Sequence, residues 1–144
     1  MKYPKRLVKG RDYKKVKDPV YKYELLRDIE IVTKLTGKYN DTDYFTLHKD
    51  GRLIAKKGYR WDGASGPAID TITVMRASLF HDLLWQLIEE FFISEVYRHY
   101  SNRLFRDICI EDGMWKVRAY TFYYTVDLIG RPYIRLKKRI YGRT

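Results

Sequence analysis

The apolar residues in the second half of the chain recur at helical spacing, and this pattern constrains the fold more than any other feature. Between about residues 73 and 92 they fall three or four positions apart, on one face of a helix: Leu79, Phe80, Leu83, Leu84, Leu87, Ile88 and Phe91. Ser94 can cap a second helix that ends at Asp112-Gly113. A third segment, residues 115–128, favours a helix, although its TFYYTV stretch also has high strand propensity. The second half therefore predicts about three packed helices.

The first half of the chain alternates apolar and polar residues, which is typical of strands. Within residues 28–35 a period of two places four side chains on one face: Ile29, Ile31, Thr33 and Leu35. Asp50-Gly51 lies between two alternating segments, residues 44–48 and 52–56, and Asp-Gly in that setting predicts a β-hairpin. Strands followed by helices predict an α+β fold, with a small N-terminal antiparallel hairpin or sheet before the helices.

The positive charge is concentrated at the two ends of the 144-residue chain, whose formal net charge is +11. Residues 1–20 carry eight Lys or Arg and two Asp, and residues 131–144 carry six Lys or Arg and no acid, so each end has a net charge of +6. The 15 basic and 16 acidic residues of the remainder nearly cancel. We expect one domain over residues 21–130, flanked by extended basic arms over residues 1–20 and 131–144.

Basic arms can bind phosphates, lipid headgroups or an acidic protein surface, or they can be solvated tails. In the partner-binding interpretation the contacting cations are Lys14, Lys15, Arg135, Lys137, Lys138 and Arg139. A group of tyrosines could stack on nucleic-acid bases, although tyrosines at helical spacing more often pack in and around the core: Tyr97, Tyr100, Tyr120, Tyr123 and Tyr124. Nucleic-acid binding ranks last among the hypotheses, because the sequence contains no recognisable binding module.

Composition excludes several classes of protein. An aromatic content of 16% excludes a disordered chain, and the single cysteine, Cys109, excludes an intramolecular disulfide framework or a multi-cysteine metal site. No apolar run approaches the ~20 residues of a transmembrane helix, and no apolar core follows the basic N-terminus as in a signal peptide. A reducing compartment is therefore expected. The sequence also lacks the phosphate-loop, HExxH and GxSxG motifs, so no cofactor is predicted with certainty.

His81 and Asp82, inside the first predicted helix, are the main candidates for chemistry. Adjacent helical residues lie about 100° apart, so the two side chains can serve one pocket from two sides. If the next helix packs antiparallel, Asn102 can lie opposite His81. Its amide oxygen could accept a hydrogen bond from one ring nitrogen and leave the other as a base. The alternative is that His81-Asp82 is a structural pair with its polar groups satisfied.

The glycine-containing loop at residues 61–67 is the second candidate. Asp62 can form an Asx-turn, and glycine permits close approach of the backbone. The loop is either a structural turn between sheet and helix or a binding loop for a cation or oxyanion. In the second interpretation Asp82 binds a hard cation such as Ca²⁺, together with carbonyl groups of this loop. The predicted metal ligands are Asp82, Asp62 and Gly63, and the other loop residues are Ser65, Gly66 and Pro67.

Three ordered motifs, GYRWDGASGP, ASLFHDLLW and RHYSNRLF, resemble the phage and prophage family catalogued as domain of unknown function 1353. The resemblance covers about residues 44–130. It implies a phage-encoded protein, made in the host cytoplasm and incorporated in the phage particle, but it implies no particular activity.

The stretch His81-Asp82-Leu83-Leu84-Trp85 is also similar to the His-Asp helix of microbial secreted phospholipases A2. That similarity implies that His81 is a general base, and that Asp82 and carbonyls near Asp62 bind Ca²⁺. By that similarity Asn102 stands where the family has an aspartate, and Trp85 stands where it has a tyrosine. The family's disulfides are absent. An Asp→Asn change in a serine-protease triad costs about 10⁴ in rate. The departures therefore imply a retained scaffold with weak or lost hydrolysis.

Two functions follow as hypotheses from the sequence. The first is a virion- or tail-associated structural or adaptor protein that contacts other phage structural proteins in a multi-copy assembly. The second is a Ca²⁺-dependent esterase or phospholipase-like hydrolase used in cell entry or lysis, with His81 as base and Asp82 as metal ligand. The near-neutral body, the basic ends and the neutral Asn102 favour the first.

Overall fold

A computed structural model of the protein describes residues 5–63, 71–125 and 127–128. Within them, strands come first and helices follow, which confirms the predicted α+β class. The strands are β1 (Tyr13–Lys15), β2 (Tyr23–Leu25), β3 (Ile29–Val32), β4 (Asn40–Asp41), β5 (Phe45–Leu47), β6 (Arg52–Ala55) and β7 (Arg60–Trp61). The helices are α1 (Met75–Glu89), α2 (Arg98–Glu111) and α3 (Lys116–Thr125), and a 3-10 turn at Glu95–Tyr97 precedes α2.

The larger sheet is antiparallel, in the order β3-β6-β5-β4, and contains the predicted hairpin between β5 and β6. Gly51 has a φ of 97° at the turn, a conformation that favours glycine. A side chain there would also strike the carbonyl oxygen of Thr33, 2.2 Å from the position of its Cβ. The face predicted for residues 28–35 is buried, although the strand itself ends at Val32: Ile29, Ile31, Thr33 and Leu35.

The smaller sheet, in the order β1-β2-β7, includes part of the predicted N-terminal arm. Tyr13–Lys15 pairs antiparallel with Tyr23–Leu25, and Leu7 is buried in the core. Asp12 is fully buried, where it accepts hydrogen bonds from the side chains of Arg11 and Arg27. Residues 5–15 therefore belong to the folded body, because apolar burial and charge pairing hold them there.

Every residue of α1 from Met75 to Leu87 is buried. Its apolar residues form the predicted core face, while its polar residues make specific contacts with neighbouring elements. Trp61 Nε1 donates to Ser78 Oγ at 3.1 Å, and Tyr59 Oη donates to Gln86 Oε1 at 3.0 Å. These bonds attach α1 to the end of the smaller sheet and satisfy polar groups that water cannot reach.

The C-terminus of α1 differs from the predicted helix, which included Phe91. The helix ends at Glu89, and Phe91 has a φ of 65° in the left-handed region. The amides of Phe91 and Phe92 donate to the carbonyls of Ile88 (3.2 Å) and Leu87 (2.9 Å), the two bonds of a Schellman cap. Phe91 is consequently outside the apolar stripe, with 92% of its surface exposed.

Helix α2 packs against both α1 and α3 and ends where predicted, before Gly113, whose φ is 103°. Ser94 caps the 3-10 turn that leads into α2, since its side chain accepts from the amide of Val96. Residues 116–125 form a helix, so the third segment is helical there and not a strand.

None of the helices in the described part of the chain combines the length and apolar character that crossing a bilayer requires.

A buried ion pair joins the start of α1 to the end of α2. The Arg76 guanidinium donates to both carboxylate oxygens of Asp112, at 3.0 and 2.9 Å, and Asp112 is fully buried. Two residues of the N-terminal segment also contact Asp112. The Lys5 amide donates to Oδ1 at 3.2 Å, and Arg6 Nε donates to the backbone carbonyl at 2.6 Å.

We predict that Arg76→Met lowers the free energy of unfolding by about 3–5 kcal/mol, because it leaves the Asp112 carboxylate buried without its cation. Urea unfolding measures the change. Adding Asp112→Leu should recover much of the loss. The matched control is Asp50→Asn, which breaks the exposed pair with Arg52 and should cost at most about 1 kcal/mol. Equal losses in the two single variants would contradict a dominant role for the buried pair.

Candidate functional site

His81 lies at the centre of the interface between α1 and α2. Its Nε2 lies 2.6 Å from Oδ1 of Asn102, so the predicted contact between the two residues is present. The imidazole packs between Trp85, at a centroid distance of 5.6 Å, and the edge-on ring of Phe105, at 5.3 Å. Only 5% of His81 is exposed, and Asn102 is fully buried.

Asp127 fixes the orientation of Asn102 and, through it, the tautomer of His81. Asn102 Nδ2 donates to Asp127 Oδ1 at 2.7 Å. A carboxylate offers acceptors only, so the amide nitrogen must face Asp127 and the amide oxygen must face His81. His81 Nε2 therefore carries a proton and donates to Asn102, and Nδ1 is the basic nitrogen of the neutral ring.

Burial keeps His81 neutral. Removal of the ring from water lowers its pKa from 6.5 to about 4, since desolvation outweighs the opposing effects of Asn102 and the carboxylate of Asp62. A neutral imidazole is the form that acts as a general base. However, a pKa near 4 makes Nδ1 a weak base at neutral pH, and the packed rings around it restrict the approach of substrate.

The predicted metal ligands are only partly brought together. Asp62 lies within electrostatic reach of His81, and Asp62 and Asp82 are both largely buried, with interactions of their own. Gly63 has a φ of 79° beside Asp62. The described residues nowhere group three His, Cys, Asp or Glu side chains around a possible ion. The carboxylates of Asp62 and Asp82 and the carbonyl of Gly63 provide fewer oxygens than the six to eight that Ca²⁺ usually takes, so these three residues alone do not fit the ion.

Several predicted contact residues lie outside the part of the chain that the structure describes. These are the loop residues Ser65, Gly66 and Pro67, and the C-terminal cations Arg135, Lys137, Lys138 and Arg139. Of the N-terminal cations, Lys14 lies 3.4 Å from the carboxylate of Glu24, while Lys15 is exposed on β1. One of the two is thus engaged within the sheet.

The tyrosines proposed for base stacking make contacts within the protein. Tyr97 and Tyr100 pack edge to face, and Tyr100 Oη accepts from the backbone amide of Lys34 at 2.9 Å. Arg106 lies over the rings of Tyr120 and Tyr123, at 4.8 and 5.1 Å from their centroids. These contacts support the packing interpretation for the four tyrosines.

Sequence reasoning did not identify Asp127 as a site residue. A signal for it exists, because Asp127 is the only acid among residues 113–144, which contain eight Lys or Arg. It also lies 3.2 Å from Nδ1 of His99, so its carboxylate contacts both Asn102 and His99. Asp127 thereby ties the end of the third helical segment to α2.

Comparison with protein-family models, curated proteins and solved structures finds no match to this chain. The fold class of the protein therefore rests on the described residues alone. They form a small α+β protein in which two antiparallel sheets precede a helical layer, with a buried His-Asn-Asp series at the helix interfaces.

We predict that the pKa of His81 makes stability fall in acid. Well above pH 6.5 the ring is unprotonated in both the folded and the unfolded chain. As the pH falls from 6.5 towards 4, the unfolded chain binds the proton first and is favoured. Urea unfolding at pH 7 and pH 4.5 should show a contribution of about 2–3 kcal/mol, lost at the lower pH.

The matched variants are His81→Gln and His48→Gln. His81→Gln should lack that part of the pH dependence, whereas His48→Gln should retain it, because only His81 is fully enclosed. An equal pH dependence in wild type and His81→Gln would show that the folded protein protonates His81 near its ordinary pKa.

Proposed function

We propose that the chain is a phage-encoded, virion- or tail-associated structural adaptor protein with weak or no catalysis. In this proposal α1 and α2 form the scaffold, and the third helix contacts a neighbouring protein. The observation that carries the proposal is an exposed apolar stripe along α3. The motif resemblance described above supports a phage origin.

The stripe runs along one side of α3 and continues past its end. Val117, Tyr120 and Tyr124 are spaced three or four residues apart, so they lie on one face of α3, with exposed fractions of 81%, 42% and 59%. Leu128, which is 78% exposed, follows the end of the helix. Ala119 is the sole buried residue of α3. An exposed helix face of this kind is typical of protein interaction sites.

The charges beside the stripe favour an acidic partner. Lys116 and Arg118 lie in α3, which contains no acidic residue. A neighbouring surface with apolar side chains and acidic flanks would cover the stripe and pair with these cations. The predicted basic C-terminal arm has the same sign of charge and would strengthen the contact.

The state of His81 supports a scaffold over an enzyme. A ring that is 5% exposed, with Nε2 committed to Asn102, contributes to packing of α1 against α2. Its lowered pKa is what burial produces, and the described residues place no group of metal ligands beside it. A satisfied internal histidine accounts for these observations without substrate.

The first experiment measures incorporation of the chain into phage particles. Particles released from the strain that encodes it should contain the wild-type chain in multiple copies. Val117→Glu with Tyr124→Glu should lower its content about tenfold or more, because charge would then lie within an apolar interface. Quantitative mass spectrometry of purified particles gives the ratio.

The matched control is Val32→Glu, which changes another exposed apolar residue, 74% exposed on β3. It should leave incorporation unchanged, and all variants should have the same melting temperature. Absence of the wild-type chain from particles, or normal incorporation of the double variant, would contradict the adaptor proposal.

A Ca²⁺-dependent hydrolase is the second candidate, favoured by the hydrogen-bonded series His81–Asn102–Asp127. This series orients the ring and leaves Nδ1 as its base. If it is catalytic, vesicles of phosphatidylglycerol should release fatty acid in the presence of Ca²⁺, and His81→Ala should reduce the rate about 10²- to 10⁴-fold. His48→Ala is the control. Absence of both calorimetric Ca²⁺ binding and His81-dependent release would reject this candidate.

A further inference from the structure

A cleft of about 570 Å³ opens where α1 ends and the chain turns into α2. This volume lies in the range of small-ligand sites, and the cleft does not involve the α3 stripe. Apolar side chains line much of it, including Ile88, Phe92 and Ile93. A second cavity of about 250 Å³ shares Phe92 and Ile93 with it and extends to the buried side chains of Leu35 and Leu47.

Trp85 brings an unsatisfied donor to the wall of the cleft. The residue is 2% exposed, and its indole Nε1 has no hydrogen-bond partner among the residues that the structure describes. Buried indole N–H groups are nearly always paired, since an unmade bond costs about 1–3 kcal/mol. The nitrogen itself has almost no accessible surface, so a ligand oxygen reaches it only when neighbouring side chains move. A hydrogen bond to that oxygen would then remove the cost.

Two cations also line the cleft without acidic partners. Across the described ranges, neither Lys38 nor Arg98 is paired with a carboxylate, and Arg98 Nη2 instead lies 3.4 Å from Nε2 of His99. The acids on the same wall, Glu89 and Glu95, have interactions of their own. Oε1 of Glu89 is buried on this wall without a hydrogen bond from the described residues, so the cleft carries charges of both signs. Lys38 and Arg98, which have no carboxylate partner among the described residues, are the groups that complement an anion.

Phe91 at the edge of the cleft has an unfavourable conformation. It occupies the left-handed position of the Schellman cap, where glycine is usual, yet its ring is 92% exposed. Strained residues of this kind persist where the surrounding structure holds them, and they cluster at active sites and ligand clamps. An exposed aromatic ring at this point can close over an apolar ligand.

We propose that this cleft binds an organic anion in which a carboxylate is joined to an apolar group. The carboxylate accepts from the indole N–H of Trp85 and pairs with Arg98 and Lys38. The apolar group lies along Ile88, Phe92 and Ile93 towards the second cavity, with Phe91 over it. Such a group occurs in free apolar acids and at the C-terminus of a polypeptide that ends in an apolar residue. The inference is independent of the adaptor proposal.

The test is an NMR titration of the full chain labelled with ¹⁵N, observing its three indole N–H resonances. One arm uses 4-phenylbutyrate, and the other uses the peptide acetyl-Leu-Leu-Phe with a free carboxylate. Either probe should move the Trp85 resonance, assigned by its loss in Trp85→Phe, and leave that of Trp115 in place. The tighter probe identifies the source of the ligand. The amides of both probes should bind about tenfold more weakly, because they lack the charge.

Variants separate the proposed contacts, with affinities measured by calorimetry. Trp85→Phe and Arg98→Gln should each weaken binding of the carboxylates about tenfold. The matched controls are Trp115→Phe and Arg103→Gln, which change an exposed tryptophan and an exposed α2 cation outside the cleft, and they should bind as wild type does. No shift of the Trp85 resonance with either probe, equal binding of the amides, or full affinity in Arg98→Gln would overturn the proposal.

Phe91→Gly tests whether the strained residue serves the cleft. Relief of the left-handed conformation should lower the unfolding equilibrium constant about fivefold, measured in urea. The same variant should bind the carboxylate probe more weakly, because the ring over the apolar group is lost. Greater stability with unchanged affinity would refute the role given to Phe91 in the site.

Discussion

The ion pair between Arg76 and Asp112 determines how the three parts of this protein are held together. Arg76 is in the first turn of α1, Asp112 directly follows α2, and the N-terminal segment contacts the same aspartate through Lys5 and Arg6. A buried guanidinium and carboxylate must meet in good geometry, since neither charge tolerates isolation in the core. The pair therefore fixes the relative position of α1 and α2, and the contact between His81 and Asn102 depends on that position.

Most polar residues of α1 likewise pair with a group on a neighbouring element, and the buried His81 is one of them. Ser78 accepts from Trp61, Gln86 accepts from Tyr59, and His81 donates to Asn102, so polar contacts attach the helix to its neighbours on several sides. A helix covered on all sides has to satisfy each of these groups within the protein. His81 is buried and hydrogen-bonded like these residues, so the packing of α1 against α2 accounts for its presence.

Features that depend on local periodicity could be predicted from the sequence. Alternation identified the buried face of residues 28–35, Asp50-Gly51 identified the hairpin, and helical spacing identified α1. Asn102 could be placed opposite His81 only on the condition that the next helix packs antiparallel. Features that depend on tertiary pairing were out of reach. The excess of positive charge in residues 1–20 predicts an extended arm, since charge counted from the sequence does not include its partners, yet Leu7 and Asp12 are buried. Phe91 fits the helical period but occupies the left-handed position of a Schellman cap. The contact between Asp127 and Asn102 spans 25 residues.

The distribution of polar and apolar groups separates the interior of this protein from the two surfaces that we propose as binding sites. Inside, charges and hydrogen-bonding groups are matched, as Arg76 with Asp112 and Asn102 with Asp127 show. At the surface, the stripe on α3 and the cleft at the end of α1 combine apolar side chains with cations that lack acidic partners or lie in a helix without acids. Because these interior groups are already paired, a partner or ligand can gain little from them. Binding energy remains available at these two surfaces, and both complement groups that are apolar and negatively charged.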